Sequence, residues 1–238
     1  MSGLDAAVAT AVATGTLLTT ATLGVLHPRV SLFGPIVWRG PTRPAVALTF
    51  DDGPDPRHTA CIAEILDVHR ARATFFCIGR QLELHRSLAR SLHASGHQLE
   101  NHTYSHGTGL DLFSAARLGR DLRRCQEVLA GLIGSASTFY RPAVGIRNPA
   151  VHAAARALGL TVVTWTHTAR DGVFPLTSRR ALALAERASA GSILALHDGQ
   201  LRGNTKLREQ TVRHLPLVLK RLKERGFAFE TLTELLRP

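Results

Sequence analysis

From Ala45 onward the chain alternates short apolar runs with stretches of helical spacing, and no other feature constrains its fold as strongly. Residues 46–50, 74–78 and 98–103 read as strands, with helices predicted over 58–69 and 81–94 between them. A helical pattern over 111–132 leads to a fourth strand at 138–141, and one over 150–158 to a fifth at 161–166. Helices at 178–190 and 209–225 flank and follow a sixth strand at 193–197, and a seventh covers 227–232. Gly96, Gly159, Gly191 and Gly226 fall where helices should stop. Such alternation builds βαβ units with right-handed crossovers and helices outside. The prediction is an α/β fold, a distorted (β/α) barrel of about seven parallel strands. Its active site should lie at the C-terminal strand ends.

Those ends carry unusual polar residues. Asp51 and Asp52 close the first strand, and a turn at Gly53 can bring both carboxylates to the rim. An Asp-Gly turn is also ordinary loop chemistry. After the third strand, His102 and His106 stand four apart, a spacing that puts both imidazoles on one face of a helical turn. With a carboxylate from a neighbouring strand end they make a three-ligand metal site, which leaves a coordination position open. Most other histidines, including His58, His69, His85, His93 and His214, fall on predicted helix surfaces. Arg141 ends the fourth strand and can hold a carboxylate through two parallel hydrogen bonds. His197 ends the sixth and, facing a metal and a carboxylate, is a candidate general acid.

In order, the motifs are TFDDGP (49–54), NHTYSH (101–106), RPAVG (141–145), RDG (170–172) and LALHDG (194–199). This set resembles the polysaccharide deacetylases, the NodB-homology domain, over roughly residues 45–236. The resemblance implies that Asp52, His102 and His106 bind a divalent metal, usually Zn2+. It makes Asp51 the general base, Arg141 the group orienting it, His197 the general acid and Asp171 the holder of the His197 imidazole. It places substrate against the loop at Ala143 and Val144, with a backbone N–H there for the oxyanion, and against Leu194 and Leu196. The implied activity is removal of the N-acetyl group from an amino sugar in an oligosaccharide, polysaccharide or glycolipid. Alternatives are a deformylase or other amide hydrolase on a lipid-linked sugar, and a carbohydrate-binding pseudo-enzyme. Three positions depart from the family's common pattern. Val144 stands where many members have Tyr, Gly172 where many have Trp, and Thr168 where many have Asp.

Residues 1–44 read as a weakly hydrophobic segment and linker ahead of a catalytic domain at 45–238. The run 6–26 has no charge and is long enough to cross a bilayer, but is rich in Ala and Thr. Arg29, Arg39 and Arg43 follow it, and a membrane or cell-envelope location is expected, with a cytoplasmic one open. The net charge is +11, from 29 basic and 18 acidic residues. That charge alone would suit nucleic acid, but no nucleic-acid-binding motif accompanies it and none is expected as partner. The tail from Leu201 holds nine basic and four acidic residues, so the charge is expected on the helical shell, away from the strand ends. Cys61, Cys77 and Cys125 are odd in number and form no CxxC pair, so they imply no disulfide framework.

Overall fold

In the computed structural model, residues 22, 24–25, 27–107, 114–199 and 205–237 are described. The strand β1 (Ala45–Asp51) is buried along its whole length, because it is covered on both faces. It pairs in parallel with β2 (Ala73–Cys77) on one side and β7 (Ile193–His197) on the other. Beyond β2 follow β3 (Gln98–Asn101), β4 (Phe139–Tyr140) and β5 (Thr161–Val162), while β6 (His167–Thr168) lies outside β7. All these pairings are parallel, and the seven strands curl into the distorted barrel expected. A further short strand, β8 (Ala228–Phe229), pairs with β1 at its N-terminal end.

Eight helices surround the strands: α1 (His58–Val68), α2 (Gly79–Leu84), α3 (Arg86–Ala94), α4 (Ala115–Ile133), α5 (Pro149–Ala157), α6 (Ser178–Arg187), α7 (Thr205–Glu224) and α8 (Leu232–Leu235) among the described residues. Strand residues alternate between two cores. Leu48, Phe50, Phe75, Leu194 and Leu196 face outward onto Ile62, Leu66, Leu215 and Leu219 of the helices. Ala47, Phe76, Val163 and Ile193 face inward, where Leu232 and Leu235 of α8 close the lower end.

Several boundaries differ from expectation. The helix predicted over 81–94 is two helices, broken at His85. Only 228–229 of the predicted last strand pair, because Thr231 caps α8 with a reciprocal Thr231–Glu234 box that turns the chain into a helix. Of the predicted fifth strand only 161–162 pair, as β5, and the chain pairs again just beyond it as β6; the two stand at opposite ends of the sheet order. The extended stretch 161–168 therefore pairs with β4 at its start and with β7 at its end. Part of the predicted helix at 111–132 and the whole apolar run 6–26, apart from residues 22, 24 and 25, lie outside the described residues. No helix of the described residues is long and apolar enough to cross a membrane.

The proline-rich stretch before β1 packs against the barrel as a strap. Val37 bridges Val163 in parallel, and Arg39 bridges Ser192 antiparallel, so the strap covers the gap between β5 and β6. Thr164 Oγ1 donates to Pro28 O at 2.5 Å, and Thr166 Oγ1 to Trp38 O at 2.7 Å. The buried Arg147 donates to the carbonyls of Gly24, Val25 and His27, the last at 2.7 Å.

Candidate active site

Each candidate residue sits where a strand of the barrel ends. Asp51 is the last residue of β1, in register with His197, the last of β7. Asp52 follows with φ 79°, a left-handed turn that swings its carboxylate away from Asp51. The turn needs glycines beside it. A Cβ on Gly53 would lie 2.0 Å from Asp198 Oδ2, and one on Gly199 would lie 2.0 Å from the Asp52 carbonyl oxygen.

The structure brings Asp52, His102 and His106 together. Asp52 Oδ1 is 3.4 Å from His102 Nε2 and 3.3 Å from His106 Nε2. One ligand atom from each lies within 4.8 Å of the others. The two histidines do not share a helical turn, as their spacing suggested. They lie in an irregular loop whose Thr103 and His106 have positive φ. Buried Asn101 accepts from Thr103 N, Thr103 Oγ1 accepts from His106 N, and Asp121 of α4 accepts from the N–H groups of Tyr104 and Ser105. These bonds replace the absent helical ladder.

The donor set suits a divalent cation. His102 Nδ1 bonds to Arg141 O at 2.7 Å, which makes Nδ1 the protonated nitrogen and leaves the Nε2 lone pair facing the carboxylate. Burial is the main cause that lowers the His106 imidazole to about 4, so it is uncharged near neutral pH and can offer a lone pair. Burial alone would raise the Asp52 carboxyl, but the neighbouring imidazoles of His102, His197 and His106 hold it well below the usual range.

Two ion pairs, one buried and one partly buried, flank this triad. Arg141 Nη1 donates to Asp51 Oδ1 and Thr49 Oγ1, both at 2.7 Å, and Nη2 donates to Thr164 O at 2.9 Å. The guanidinium is fully buried, 4.1 Å from the centre of the Phe76 ring. Opposite it, His197 Nδ1 meets Asp171 Oδ1 at 2.9 Å, and His197 N–H donates to Asp171 Oδ2 at 3.0 Å. Burial alone would lower the imidazole, but Asp171, aided by Asp52 and Asp51, pushes it up to about 9.

What holds Asp171 is not marked by any sequence motif. Arg208 of α7 donates through Nη1 to Asp171 Oδ2 at 3.2 Å and to His197 O at 2.8 Å, and its Nη2 donates to Asp171 O. Thr211 adds a bond to the same carboxylate at 2.9 Å. Both lie inside the long helix α7 with no local motif to flag them. Asp198 is a second omission. It is fully buried, accepts from Thr59 at 2.6 Å, and is pushed up to about 7 by burial.

Some expectations are not met. Leu194 and Leu196 are fully buried in the outer core, since alternation along β7 turns Ala195 and His197 to the cleft instead. Ala143 is buried, whereas Val144 is 65% exposed on the rim with φ 49°. His58 is no surface residue. It is buried with its Nδ1 2.9 Å from Asp55 Oδ1, the carboxylate that also accepts from the first N–H groups of α1. Gly172, at the position where a Trp was noted as common, lies against the His197 ring, and a Cβ there would be 2.9 Å from Cε1 and Nε2.

A cavity of about 1140 Å³ opens over these residues. It is walled by Val144, Trp165, Val173 and Phe174, and also by Arg29, Arg170 and Arg187. The positive charge expected on the outer shell therefore reaches the cleft.

A family model described as polysaccharide deacetylase matches residues 39–163. The chain is 33% identical over 216 residues to a peptidoglycan-N-acetylglucosamine deacetylase of Bacillus cereus, covering 90% of this chain and 98% of that protein. It is 32% identical over 195 residues to a chitooligosaccharide deacetylase of Rhizobium leguminosarum bv. trifolii, covering 79% and 90%. Among solved structures, a family 4 acetyl xylan esterase from Clostridium thermocellum in complex with a cobalt ion superposes with a TM-score of 0.71 at 31% identity, covering 80% of this chain and 89% of that one. The motifs at the strand ends, the curled parallel barrel and these likenesses together show that the chain belongs to the polysaccharide deacetylase family.

Proposed function

We propose that the chain is a metal-dependent hydrolase that removes the N-acetyl group from an N-acetylated amino sugar, with residues 45–238 as its catalytic domain. The observation that carries this reading is the arrangement around Asp52, His102 and His106. A carboxylate paired with Arg141 stands on one side of that triad, and an imidazole paired with Asp171 on the other. Asp52, His102 and His106 would hold the ion, with Zn2+ favoured by two imidazoles and one carboxylate. A bound divalent ion supplies Lewis acidity, lowering the pKa of water and polarising the amide carbonyl.

The remaining chemistry belongs to the side chains. Asp51, fixed by Arg141, takes the proton of the attacking water. Protonated His197 gives a proton to the departing nitrogen, and Asp171 keeps its Nδ1–H oriented so that Nε2 faces the substrate. The N–H of Val144, on the rim, is the donor for the oxyanion. The products are acetate and a free amino sugar. The curated relatives named as deacetylases of peptidoglycan N-acetylglucosamine and of chitooligosaccharides support a glycan as substrate.

Incubation with chito-oligosaccharides, peptidoglycan fragments and lipid-linked sugars, followed by mass spectrometry, tests the reading. Loss of one acetyl mass, stopped by chelator and restored by Zn2+, is the expected result. Binding of sugar with no mass change under any metal would instead make the chain a carbohydrate-binding pseudo-enzyme.

A further inference from the structure

The cleft contains more positive charge than the reaction uses. Of its cationic side chains, Arg208 is committed to Asp171, and Arg141 below the floor is committed to Asp51. Arg29, Arg170 and Arg187 also line the cavity, all are exposed, and none meets a carboxylate among the described residues. The cavity's acidic residues, Asp51 and Asp52, already have partners.

Two of these arginines stand on the same wall, with His167 of β6 between them in the cavity lining. Arg39 of the strap lies 5.9 Å from the centre of the Trp38 ring and donates to Ser189, two residues past Arg187, which brings the end of α6 to the strap that carries Arg29. Arg29 is held in place by the strap. Its Nη2 donates to Thr166 O at 2.7 Å and its guanidinium lies 5.3 Å from the centre of the Trp38 ring. Like charges gathered and fixed beside a cavity repel each other until an anion arrives. The same cavity is lined by exposed apolar side chains, Val173 at 72% and Phe174 at 52%.

We propose that this wall is an oxyanion subsite, in which Arg29 and Arg187 hold a phosphate or carboxylate carried by the substrate close to the reacting acetamide. The inference rests on the deacetylase reading and narrows its substrate to an anionic amino sugar. Guanidinium groups suit either oxyanion through paired N–H donors. The apolar lip favours a phosphate that joins sugar to hydrocarbon.

The test compares four probes: N,N′-diacetylchitobiose, N-acetylglucosamine 1-phosphate, a disaccharide containing N-acetylmuramic acid, and farnesyl-diphosphate-linked N-acetylglucosamine. Each is measured for kcat/KM and, by calorimetry, for binding, with the metal-loaded full chain and with the Arg29→Gln/Arg187→Gln variant. At least about tenfold preference for an anionic probe is expected in the parent, falling toward one in the variant. The probe with the largest preference identifies the source of the anion. Equal handling of neutral and anionic probes by the parent, or a preference that survives in the variant, overturns the subsite. Tight, Arg-dependent binding of an anionic probe without turnover of any probe would keep the subsite and remove the deacetylase reading instead.

Discussion

Arg208 donates to both the carboxylate and the backbone carbonyl of Asp171, so one buried side chain of α7 fixes the residue that in turn fixes His197. Arg208 is 3% exposed and Asp171 is fully buried. Arg208→Ala would take from a buried carboxylate its guanidinium and one of its four hydrogen bonds, a change that costs about 3–5 kcal/mol when a buried pair is broken. The expected result is a lower urea midpoint together with a fall in kcat larger than the change in KM. A stability loss with kcat intact would mean that Thr211 alone orients Asp171.

Asp51→Asn should keep its bound metal and lose about 10²–10⁴-fold in kcat, the usual contribution of a general base. His102→Ala should lose most of its metal, read by elemental analysis of the dialysed protein. Loss of metal from Asp51→Asn, with metal retained in Asp52→Asn, would swap the roles of the adjacent carboxylates, which the sequence alone could not separate.

The pH dependence follows from His197. Its imidazole is raised to about 9, against about 6.5 in an unfolded chain. The acid form is present below that value, so kcat/KM should fall as pH rises through it. The stability gained from the Asp171 pair is complete below about pH 6.5 and is lost as pH rises through about 9. Asp171→Asn removes the main cause of the rise. Burial then opposes only the weaker pull of Asp52 and Asp51, and the alkaline limb should move to lower pH, as followed by pH-rate profiles. A limb that stays in place would assign it to another group.

Gly172→Ala tests the crowding at His197. A Cβ 2.9 Å from the imidazole forces the ring to shift. Lower kcat with unchanged metal content is expected, and full activity would mean the ring has room to yield.

The strand-end residues were legible because a barrel strand stops where its apolar run stops, so Asp51, Arg141 and His197 could be placed without knowing any contact. Their family roles came with the motifs. What could not be read were partners that arrive from far away in the chain. Arg208 and Thr211 look like the polar face of an ordinary helix, and Arg29 looks like a linker charge. Leu194 and Leu196 were misplaced for a simpler reason. Alternation shows that they share a face with each other but not which face, and only the packing of Leu215 and Leu219 decides it. His102 and His106 were paired correctly by the wrong geometry, since four-residue spacing also fits a loop pinned by Asn101 and Asp121.

The strap has a consequence for handling the protein. A chain cut to begin at Ala45 would lack the Val37 and Arg39 bridges and leave the backbone around Val163 and Ser192 without its cover. Uncovered strand edges recruit strands from other molecules. The shortened chain would therefore tend to self-associate, and it would also lack the side of the cleft that carries Arg29. The stretch that reads as a linker is, for solubility and for ligand choice alike, a stave of the barrel.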